Sequence, residues 1–553
     1  MVFGSLNECW ASVIVDELSR LGVTDICIAP GSRSSALTLA AAKHPEIETT
    51  VHIDERALSF FALGLAKVKQ TPVAIITTSG SAVANLLPAV VEAYMDHVPL
   101  VLITADRPPE LRGVGANQTI VQPKLFSHYV VCEYDLPCPT QEISLAYLLS
   151  TVDELVFRSR TRRRPVHVNL MFREPLIGSG EQSFESLFSS ITSWMHGRAP
   201  FTRLHSSKRS LQASTLEHLS ERLMRAKRGL IVAGKLDSTD DAAAVLQLAE
   251  QLQWPVVADI LSHLVFSKHP LLINTARVWP NIDEALSPEL ILEFGGKLVS
   301  KTLLAHMCSS RAERIQIASS DDREDPSVSL TERVFLPVSV LCKEMKTRVK
   351  RSRKAGPILA VLPPSVPPSD VAQAFPDLIQ TERMFCQQFS RLLHDQHLLY
   401  CANSLPIRHL NAIKEGHYSG PIQTLANRGA SGIDGLLSSA LGAAAGTNKT
   451  VCLMLGDLSC LYDINALMMA ENCERPFKII LLNNHGGAIF STLYMAESDY
   501  RERFFNTPQH VDFEKIVSGF GVSYTRLELK GDYMKTFRSY FLDEQTRFIE
   551  VRF

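Results

Sequence analysis

Short apolar runs that alternate with helical patterns recur through this 553-residue chain. In the first third the runs are "DICIAP", "ETTVHID", "PVAIITTSG", "PLVLITAD" and "RPVHVNL", with helical patterns such as "RALSFFALGLAKV" between them. Short apolar runs separated by helices are typical of buried parallel strands. The alternation therefore predicts a doubly wound α/β fold, in which helices cover both faces of a parallel sheet.

The same alternation returns twice, first with "RGLIVAG", "PVVADI", "LILEFGG" and "RIQIASS", then with "HLLYCANS", "TVCLMLGD", "FKIILLNN" and "RFIEVRF". An irregular, Ser-rich stretch from Gly180 to Ser214 and the Pro-rich "LPPSVPPSD" separate the blocks and predict linkers. A chain of this length exceeds what one core organises. We therefore predict three doubly wound parallel-sheet domains, at residues 1–185, 210–345 and 370–553.

Composition excludes several function classes. Lys and Arg number 56 against 58 Asp and Glu, a balance that favours neither a nucleic-acid nor a membrane partner. We interpret the basic run from Lys343 to Lys354 as a solvated helix face or linker, with a docking patch as the alternative. No apolar run is long enough to span a bilayer, and the 11 cysteines form no C-x-x-C pair. We expect a cytoplasmic protein with reduced thiols.

Polar residues end two neighbouring apolar runs in "LMLGDLSCLYDINALMMAENCERPFKIILLNNHGG". Asp457 follows the first run and Asn484 the second, and ligands gather at the carboxyl ends of strands in open α/β sheets. A carboxylate, an amide oxygen and a backbone carbonyl are oxygen ligands suited to Mg²⁺. A helix N-cap at Asp457 and a turn at Asn483-Asn484 are the plainer alternative.

Taken together, the two polar ends resemble the diphosphate–metal motif of thiamine diphosphate enzymes. The resemblance implies that Asp457, Asn484 and the Gly486 carbonyl hold Mg²⁺ (or Mn²⁺). The remaining residues that it places at the cofactor are Ser79, Gly80, Gly456, Leu458, Ser459 and Ile489. This family has pyrimidine-binding, middle and diphosphate-binding domains, which match the three blocks in order.

Two further residues match the family's cofactor contacts. Glu55 in "VHIDERALSFFALGLAKV" matches the glutamate that hydrogen-bonds the aminopyrimidine and activates the cofactor. On its own, a glutamate in a first helical turn is a favourable dipole partner or half of a capping box. Ile433 in "NRGASGIDGLLSSALGAA" matches the apolar wedge that keeps the cofactor bent.

Several segments narrow the resemblance to one branch: "APGSRSSALTLA", "TSGSAVANLLPAVVEA", "LITADRPPELRGVGANQTI", "NRGASGIDGLLS", "GDLSCLYDINAL" and "NNHGGAIFS". That branch comprises transferases of menaquinone biosynthesis. They decarboxylate 2-oxoglutarate and add the succinyl carbanion equivalent to isochorismate in a 1,4-addition. Both substrates are dicarboxylates, so the resemblance implies a pocket in which arginines bind carboxylates.

The branch supplies expected substrate contacts. For isochorismate they are Ser32, Arg33, Arg107, Asn117 and Gln118. For 2-oxoglutarate they are Ser404, Arg408 and Arg428, with Lys301 from the middle block and Phe490 and Leu493 as apolar walls. The resemblance gives catalytic roles to Glu55, Gln118, Ser404 and Arg408. Thr302 stands where some relatives have a second cation. Any one of these arginines, taken in isolation, would be interpreted as a surface charge or as part of a structural ion pair.

The sequence is also compared with alternative functions. Another thiamine diphosphate carboligase or decarboxylase, such as an acetohydroxyacid synthase, uses smaller or more apolar substrates. A dinucleotide-dependent dehydrogenase would need a strand-G-x-G-x-x-G-helix fingerprint, which the chain lacks. A catalytically inactive regulatory module would be expected to have lost Glu55, Asp457 or Asn484. The family resemblance also implies a homodimer or a dimer of dimers, with Glu55 and Asp457 of each site from different chains.

Overall fold

Three six-stranded parallel sheets form the framework of the protein. The computed structural model describes residues 2–180, 182–207, 210–274, 287–350, 377–413, 415–470, 473, 475–492 and 498–553. A short antiparallel pair, β1 (Val2–Phe3) with β8 (Gln182–Ser183), ties the start of the chain to a later segment. None of the helices in these residues has the length and apolar character needed to cross a membrane.

The N-terminal unit (residues 2–196) holds the first sheet, ordered β3-β2-β4-β5-β7-β6. Its strands are β2 (Asp25–Ile28), β3 (Glu48–Val51), β4 (Val73–Thr77), β5 (Leu100–Asp106), β6 (Glu133–Leu136) and β7 (Val166–Met171). Its helices are α1 (Leu6–Arg20), α2 (Ser35–Lys43), α3 (Glu55–Lys69), α4 (Ser81–Asn85), α5 (Leu87–Asp96), α6 (Leu145–Arg162), α7 (Glu185–Phe188) and α8 (Thr192–His196). The predicted doubly wound fold is confirmed here.

The Ser-rich stretch predicted as a linker differs from that expectation over its first half. Phe184, Phe188, Ile191 and Trp194 are buried in the same core as helix α1. Apolar residues recur among the serines every three or four positions, which gives the short helices a buried face. This segment therefore packs onto the N-terminal unit, where the buried Glu17 accepts the Trp194 indole hydrogen.

The middle unit (residues 213–348) orders its sheet β11-β10-β9-β12-β13-β14. Its strands are β9 (Gly229–Ala233), β10 (Val256–Ala258), β11 (Leu272–Asn274), β12 (Leu290–Phe294), β13 (Glu313–Ala318) and β14 (Glu332–Phe335). Its helices are α9 (Ala213–Arg225), α10 (Thr239–Leu252), α11 (Lys301–Ser309) and α12 (Val338–Arg348). The predicted basic run begins on α12, and its residues 351–354 lie outside the described residues.

The C-terminal unit (residues 377–553) repeats the strand order of the N-terminal unit, as β16-β15-β17-β18-β20-β19. Its strands are β15 (His397–Cys401), β16 (Thr424–Leu425), β17 (Thr450–Gly456), β18 (Phe477–Asn483), β19 (Ser523–Glu528) and β20 (Arg547–Arg552). Its helices are α13 (Asp377–Ser390), α14 (Leu405–Asn411), α15 (Leu436–Ala445), α16 (Asp457–Tyr462), α17 (Ser498–Arg501), α18 (Phe513–Gly519) and α19 (Tyr533–Phe541).

Short 3₁₀ and π segments lie between these helices and strands. The 3₁₀ segments are Pro109–Leu111, Ser127–Tyr129, Ser189–Ile191, Ile260–Ser262, Ile464–Met469 and Ala488–Thr492, and a π segment covers Glu502–Asn506.

The domain boundaries at 1–185, 210–345 and 370–553 stay predictions.

Helices α3 and α15 cross so closely that they join the two outer units. A Cβ on Gly64 would lie 1.8 Å from the Ser439 carbonyl oxygen, and one on Gly442 would lie 1.9 Å from that of Phe61. Only glycine permits backbone to approach backbone in this way. Buried apolar side chains of both units form one continuous core around the crossing. The crossing thereby fixes Glu55, the first residue of α3, relative to the C-terminal unit.

Candidate active site

The predicted site residues lie where the two outer sheets reverse their winding. In each sheet the first strand in the chain lies between the second and the third. Ligands bind in the crevice beyond the carboxyl ends of strands at such a switch point. Ser32 and Arg33 follow β2, and Ser79 follows β4; Ser404 follows β15, and Asp457 follows β17. The topology therefore places the predicted residues at two ligand-binding edges.

Three predicted residues of the N-terminal unit contact one another. The Arg107 guanidinium donates to the Ser79 hydroxyl. Ser79 Oγ donates to the Gln118 carbonyl at 3.1 Å, and Gln118 Nε2 donates to the Ser79 carbonyl at 3.0 Å. Gln118 has a positive φ of 54°, and these hydrogen bonds support that conformation. The loops after β4 and β5 are therefore held as one surface.

Two buried arginines lie together at this edge. Arg33 is 5% exposed and Arg107 is 7% exposed. Burial, together with the charge of Arg33, lowers the pKa of Arg107. Arg33 donates to the Phe172 carbonyl at 3.0 Å and pairs with Glu174, an exposed residue. Two neighbouring guanidinium groups, one of which pairs with an exposed carboxylate, are a favourable place for a second carboxylate.

Asp457 is the first residue of α16, and Gly456 is the N-cap. The alternative interpretation, that Asp457 is the helix N-cap, is therefore wrong by one residue. Its carboxylate is buried; Oδ1 accepts from the Leu458 amide at 2.8 Å and Oδ2 from Gln509 Nε2 at 2.7 Å. Burial raises the pKa of Asp457. A buried carboxylate that forms no salt bridge with a described residue is suited to a metal ion.

The side-chain amide oxygen of Asn484 is available to bind a ligand. Its Nδ2 donates to Glu382 Oε2 at 3.1 Å, while its buried Oδ1 has no hydrogen-bond partner among the described residues. Gly486 has a φ of 152°, and a Cβ there would lie 2.5 Å from the Asn506 carbonyl oxygen. One carboxylate, one free amide oxygen and one backbone carbonyl fit Mg²⁺.

This donor set differs from a cluster of ionisable metal ligands. Within the described ranges there is no group of three or more His, Cys, Asp or Glu side chains arranged to hold a metal. A site with a single carboxylate requires none, because Mg²⁺ commonly takes its other ligands from phosphate oxygens and water. The residues present therefore fit a metal–diphosphate group.

A second pair of arginines lies beside Ser404. Arg408 donates to the Ser404 carbonyl, and Arg428 donates to Asn403 Oδ1 at 3.0 Å. Burial and the charge of Arg428 lower the pKa of Arg408, and neither guanidinium has a salt bridge with a described carboxylate. Ser404 has a positive φ of 73°, a strained conformation for a non-glycine residue that is frequent at functional sites.

The other predicted residues differ in their surroundings. Ser32, Asn117, Lys301, Thr302 and Ile433 are exposed, Ile489 and Phe490 are half-buried, and Gly80 and Ser459 are buried. Lys301 is the first residue of α11 in the middle unit. Leu493 lies outside the described residues.

Glu55 is near the C-terminal unit of its own chain but not at the metal donors. Its carboxylate accepts from Asn85 Nδ2 at 3.4 Å. The neighbouring Asp54 accepts from Asn465, and Arg56 donates to the Tyr462 carbonyl at 3.0 Å. Among the described residues, no hydrogen bond or ion pair joins Glu55 to the proposed metal donors. Within one chain, Glu55 and the proposed metal ligands are therefore not joined by any described contact.

Sequence reasoning missed several residues that shape this site. Glu382 orients the Asn484 amide, Gln509 binds Asp457, and Asn403 binds Arg428. Each lies in a different segment from its partner or carries no distinctive motif. The one sequence signal was the position of Asn403 directly after β15 and beside Ser404.

Comparison with known families gives matches along most of the chain. Residues 10–125 match the N-terminal TPP binding domain of thiamine pyrophosphate enzymes. Residues 185–400 match the middle domain of thiamine pyrophosphate enzymes, and residues 415–551 match their C-terminal TPP binding domain. The two outer matches contain the two edges at which the predicted cofactor residues lie.

Curated relatives are similar over nearly their full length. A 2-succinyl-5-enolpyruvyl-6-hydroxy-3-cyclohexene-1-carboxylate synthase of Chlorobium phaeovibrioides is 36% identical, covering 99% of this chain and 94% of the relative. Enzymes of the same name from Rubrobacter xylanophilus and Yersinia enterocolitica are each 37% identical. Those alignments cover 95% and 94% of this chain, and 92% and 91% of the relatives.

Replacing the proposed metal carboxylate tests the assignment of this edge. Asp457→Asn should weaken the binding of thiamine diphosphate with Mg²⁺ at least roughly tenfold, because the site loses its one carboxylate. The matched control is Asp463→Asn, a buried acid on the next turn that binds the Ser438 amide and lies outside the donor set. Calorimetric titration should show weakened binding for Asp457→Asn alone; unchanged binding there would remove the metal assignment.

Proposed function

The chain belongs to the family of 2-succinyl-5-enolpyruvyl-6-hydroxy-3-cyclohexene-1-carboxylate synthases, and within that family we propose roles for its individual residues. The enzyme decarboxylates 2-oxoglutarate and adds the succinyl unit to isochorismate by 1,4-addition, a step of menaquinone biosynthesis. Bound thiamine diphosphate supplies an electron sink that makes the carbon that has lost CO₂ nucleophilic. The observation that supports the role assignment is the presence of two arginine pairs at the two switch points.

The arginine pair of the C-terminal unit binds 2-oxoglutarate in this proposal. Arg408 and Arg428 hold the distal carboxylate, and the Ser404 hydroxyl orients the substrate beside them. Neither arginine has a carboxylate of the described chain to replace, so a substrate carboxylate gains charge-assisted hydrogen bonds without breaking an ion pair. The alternative function is that of a pyruvate carboligase. Its substrate, pyruvate, has no second carboxylate for this arginine pair to bind.

The arginine pair of the N-terminal unit binds isochorismate. Arg33 and Arg107 contact its carboxylates, while Gln118, held against Ser79, contributes polar contacts to the acceptor. The Glu174 carboxylate that pairs with Arg33 is 72% exposed, so it keeps most of its contact with water while Arg33 is buried. A substrate carboxylate can therefore take the place of Glu174 at small cost. Ser32 and Asn117, both exposed at the same edge, complete this half of the site.

The cofactor and metal contacts follow from the same edges. Asp457, Asn484 and Gly486 bind Mg²⁺ (or Mn²⁺), which neutralises the diphosphate. Gly456, Leu458 and Ser459 lie on the same turn and contact the diphosphate, and the exposed Ile433 packs under the cofactor. Ser79, Gly80 and Ile489 are the remaining proposed cofactor contacts.

Glu55 completes the site from a second copy of the chain. Its carboxylate holds and moves a proton at the aminopyrimidine, yet no described contact brings it to Asp457 within one chain. Ile53 is 66% exposed beside it, and Tyr462, which Arg56 contacts, is 52% exposed. Exposed apolar side chains next to an incomplete site favour an interface with a second copy. We propose a homodimer with two shared sites, which a dimer of dimers would also contain.

The two arginine pairs should separate the two substrates in kinetic tests. Arg408→Ala and Arg428→Ala should raise the KM for 2-oxoglutarate more than that for isochorismate, and Arg33→Ala or Arg107→Ala should do the reverse. Each lost charge-assisted contact is worth about 1.5–3 kcal/mol. Steady-state kinetics with one substrate varied at a time measures this. Equal effects on both substrates would show that the two halves are misassigned.

Subunit mixing tests the shared site directly. At thiamine diphosphate concentrations that fill only the unsubstituted site, Glu55→Gln chains and Asp457→Asn chains should each have little activity alone. Co-expression of the two should restore about a quarter of wild-type activity, because about half of the dimers are mixed and one of their two sites carries neither lesion. Differently tagged chains allow the mixed dimer to be purified and assayed. Sites contained within single chains would give no recovery.

A further inference from the structure

A glutamate of the N-terminal unit reaches into the C-terminal unit beside the proposed 2-oxoglutarate pocket. Glu92 lies on α5 and is 2% exposed. Its Oε1 accepts the Gly429 amide at 2.7 Å, and its Oε2 accepts the Ala430 amide at 2.6 Å and the Ser431 amide at 3.4 Å. One buried carboxylate therefore satisfies consecutive backbone N–H groups of a loop more than three hundred residues away in the chain.

A buried lysine holds the other end of the same loop. Lys67 of α3 is 6% exposed, and its ammonium donates to the Ala426 carbonyl at 2.8 Å and to Asn427 Oδ1 at 3.0 Å. The ammonium also lies 2.8 Å from an Asp96 carboxylate oxygen and 3.8 Å from Glu92. Carbonyl groups thus face the cation and amide hydrogens face the anion. We call residues 426–431 the clamped segment.

The clamped segment carries one of the proposed substrate arginines. Arg428 lies between the groups bound by Lys67 and those bound by Glu92. Its guanidinium donates to Asn403 Oδ1 at 3.0 Å, and Asn403 Nδ2 donates to the Asn427 and Gly432 carbonyls. Both ends of the segment and the arginine head are therefore fixed, with the strained Ser404 directly beside them.

We propose that Glu92 is a positioning residue that sets the location of Arg428 for 2-oxoglutarate binding in its own chain. The inference rests on the proposed role of Arg428. Loss of the Glu92 carboxylate leaves buried amide hydrogens without an acceptor, so the loop must move to find other partners. The N-terminal unit then serves two sites at once: Glu55 acts in the partner's site, while Glu92 supports the site of its own C-terminal unit.

Kinetics of a Glu92→Gln homodimer gives the first test. Glutamine keeps one acceptor oxygen and places an NH₂ group against the remaining amide hydrogens. The KM for 2-oxoglutarate should rise on the order of tenfold, with kcat and the KM for isochorismate changed much less. Glu92→Asp, which keeps both acceptor oxygens on a shorter stem, should give an intermediate value.

Glu17→Gln is the matched control. Glu17 is another fully buried glutamate of the N-terminal unit and also accepts an amide hydrogen from a distant loop, that of Phe201 at 2.7 Å. It contacts no residue of the clamped segment. Thermal unfolding measures the stability of both glutamine variants, and only Glu92→Gln should change the KM for 2-oxoglutarate. An equal KM change in both variants would overturn the proposal, since it would reflect general destabilisation.

Mixed dimers give a test that a merely structural role would not pass. In one mixture Glu92→Gln accompanies Asp457→Asn, with Glu55→Gln on the other chain. In the second mixture Glu92→Gln accompanies Glu55→Gln, with Asp457→Asn on the other chain. Both mixed dimers contain the same three substitutions. The surviving site keeps Glu92 in the first dimer and lacks it in the second, so only the second should show the raised KM.

Each outcome decides between the proposals. An equal KM for 2-oxoglutarate in both mixed dimers would overturn the positioning role of Glu92 while leaving the shared site intact. No activity in either mixture would overturn the shared site, and the homodimer kinetics would then decide on Glu92 alone. If Glu92→Gln does not fold, Glu92→Asp replaces it in both experiments and the same outcomes apply.

Discussion

The crossing of α3 and α15 is the contact on which the contributions of both outer units to the proposed sites depend. Gly64 and Gly442 bring the two backbones together, and apolar side chains of both outer units share the core around them. Glu55 begins one of these helices, and the loop that holds Arg428 precedes the other. The same crossing therefore sets the place of the proposed proton-transfer carboxylate and of a proposed substrate cation. The buried charges of Lys67 and Glu92 extend this contact into the pocket.

Central strands were predictable from the sequence, and most edge strands were not. The predicted apolar runs correspond to the interior strands of all three six-stranded sheets and to one edge strand, β3. The unpredicted strands of those sheets, β6, β11, β14, β16 and β19, all lie at sheet edges. Several of them carry charged residues, as in "EYDL" and "ERVF", because an edge strand faces solvent and gains from polar side chains. Two or three residues, as in β16 and β11, show no periodicity at all.

The residues of the site also differ in whether they could be predicted from the sequence. Asp457, Asn484 and the arginines follow strands within short motifs, so their place at the sheet edges could be predicted. Glu92, Lys67 and Glu382 sit within ordinary helical patterns, and their partners lie far along the chain. A single buried charge in a helix has no local signature, because its role is defined by the backbone groups that tertiary folding brings to it. Those residues emerge only from the three-dimensional contacts.

Product formation by the purified protein tests the central claim most directly. The claim is that the two outer units build a thiamine diphosphate site for joining two dicarboxylates. The measurement follows isochorismate consumption and CO₂ release with 2-oxoglutarate, thiamine diphosphate and Mg²⁺, omitting one component at a time. The account predicts that one CO₂ is released for each isochorismate consumed, and that omission of either substrate or of the cofactor with its metal stops product formation. The same assay is run with pyruvate in place of 2-oxoglutarate. Full-rate decarboxylation of pyruvate with no consumption of isochorismate would contradict the account.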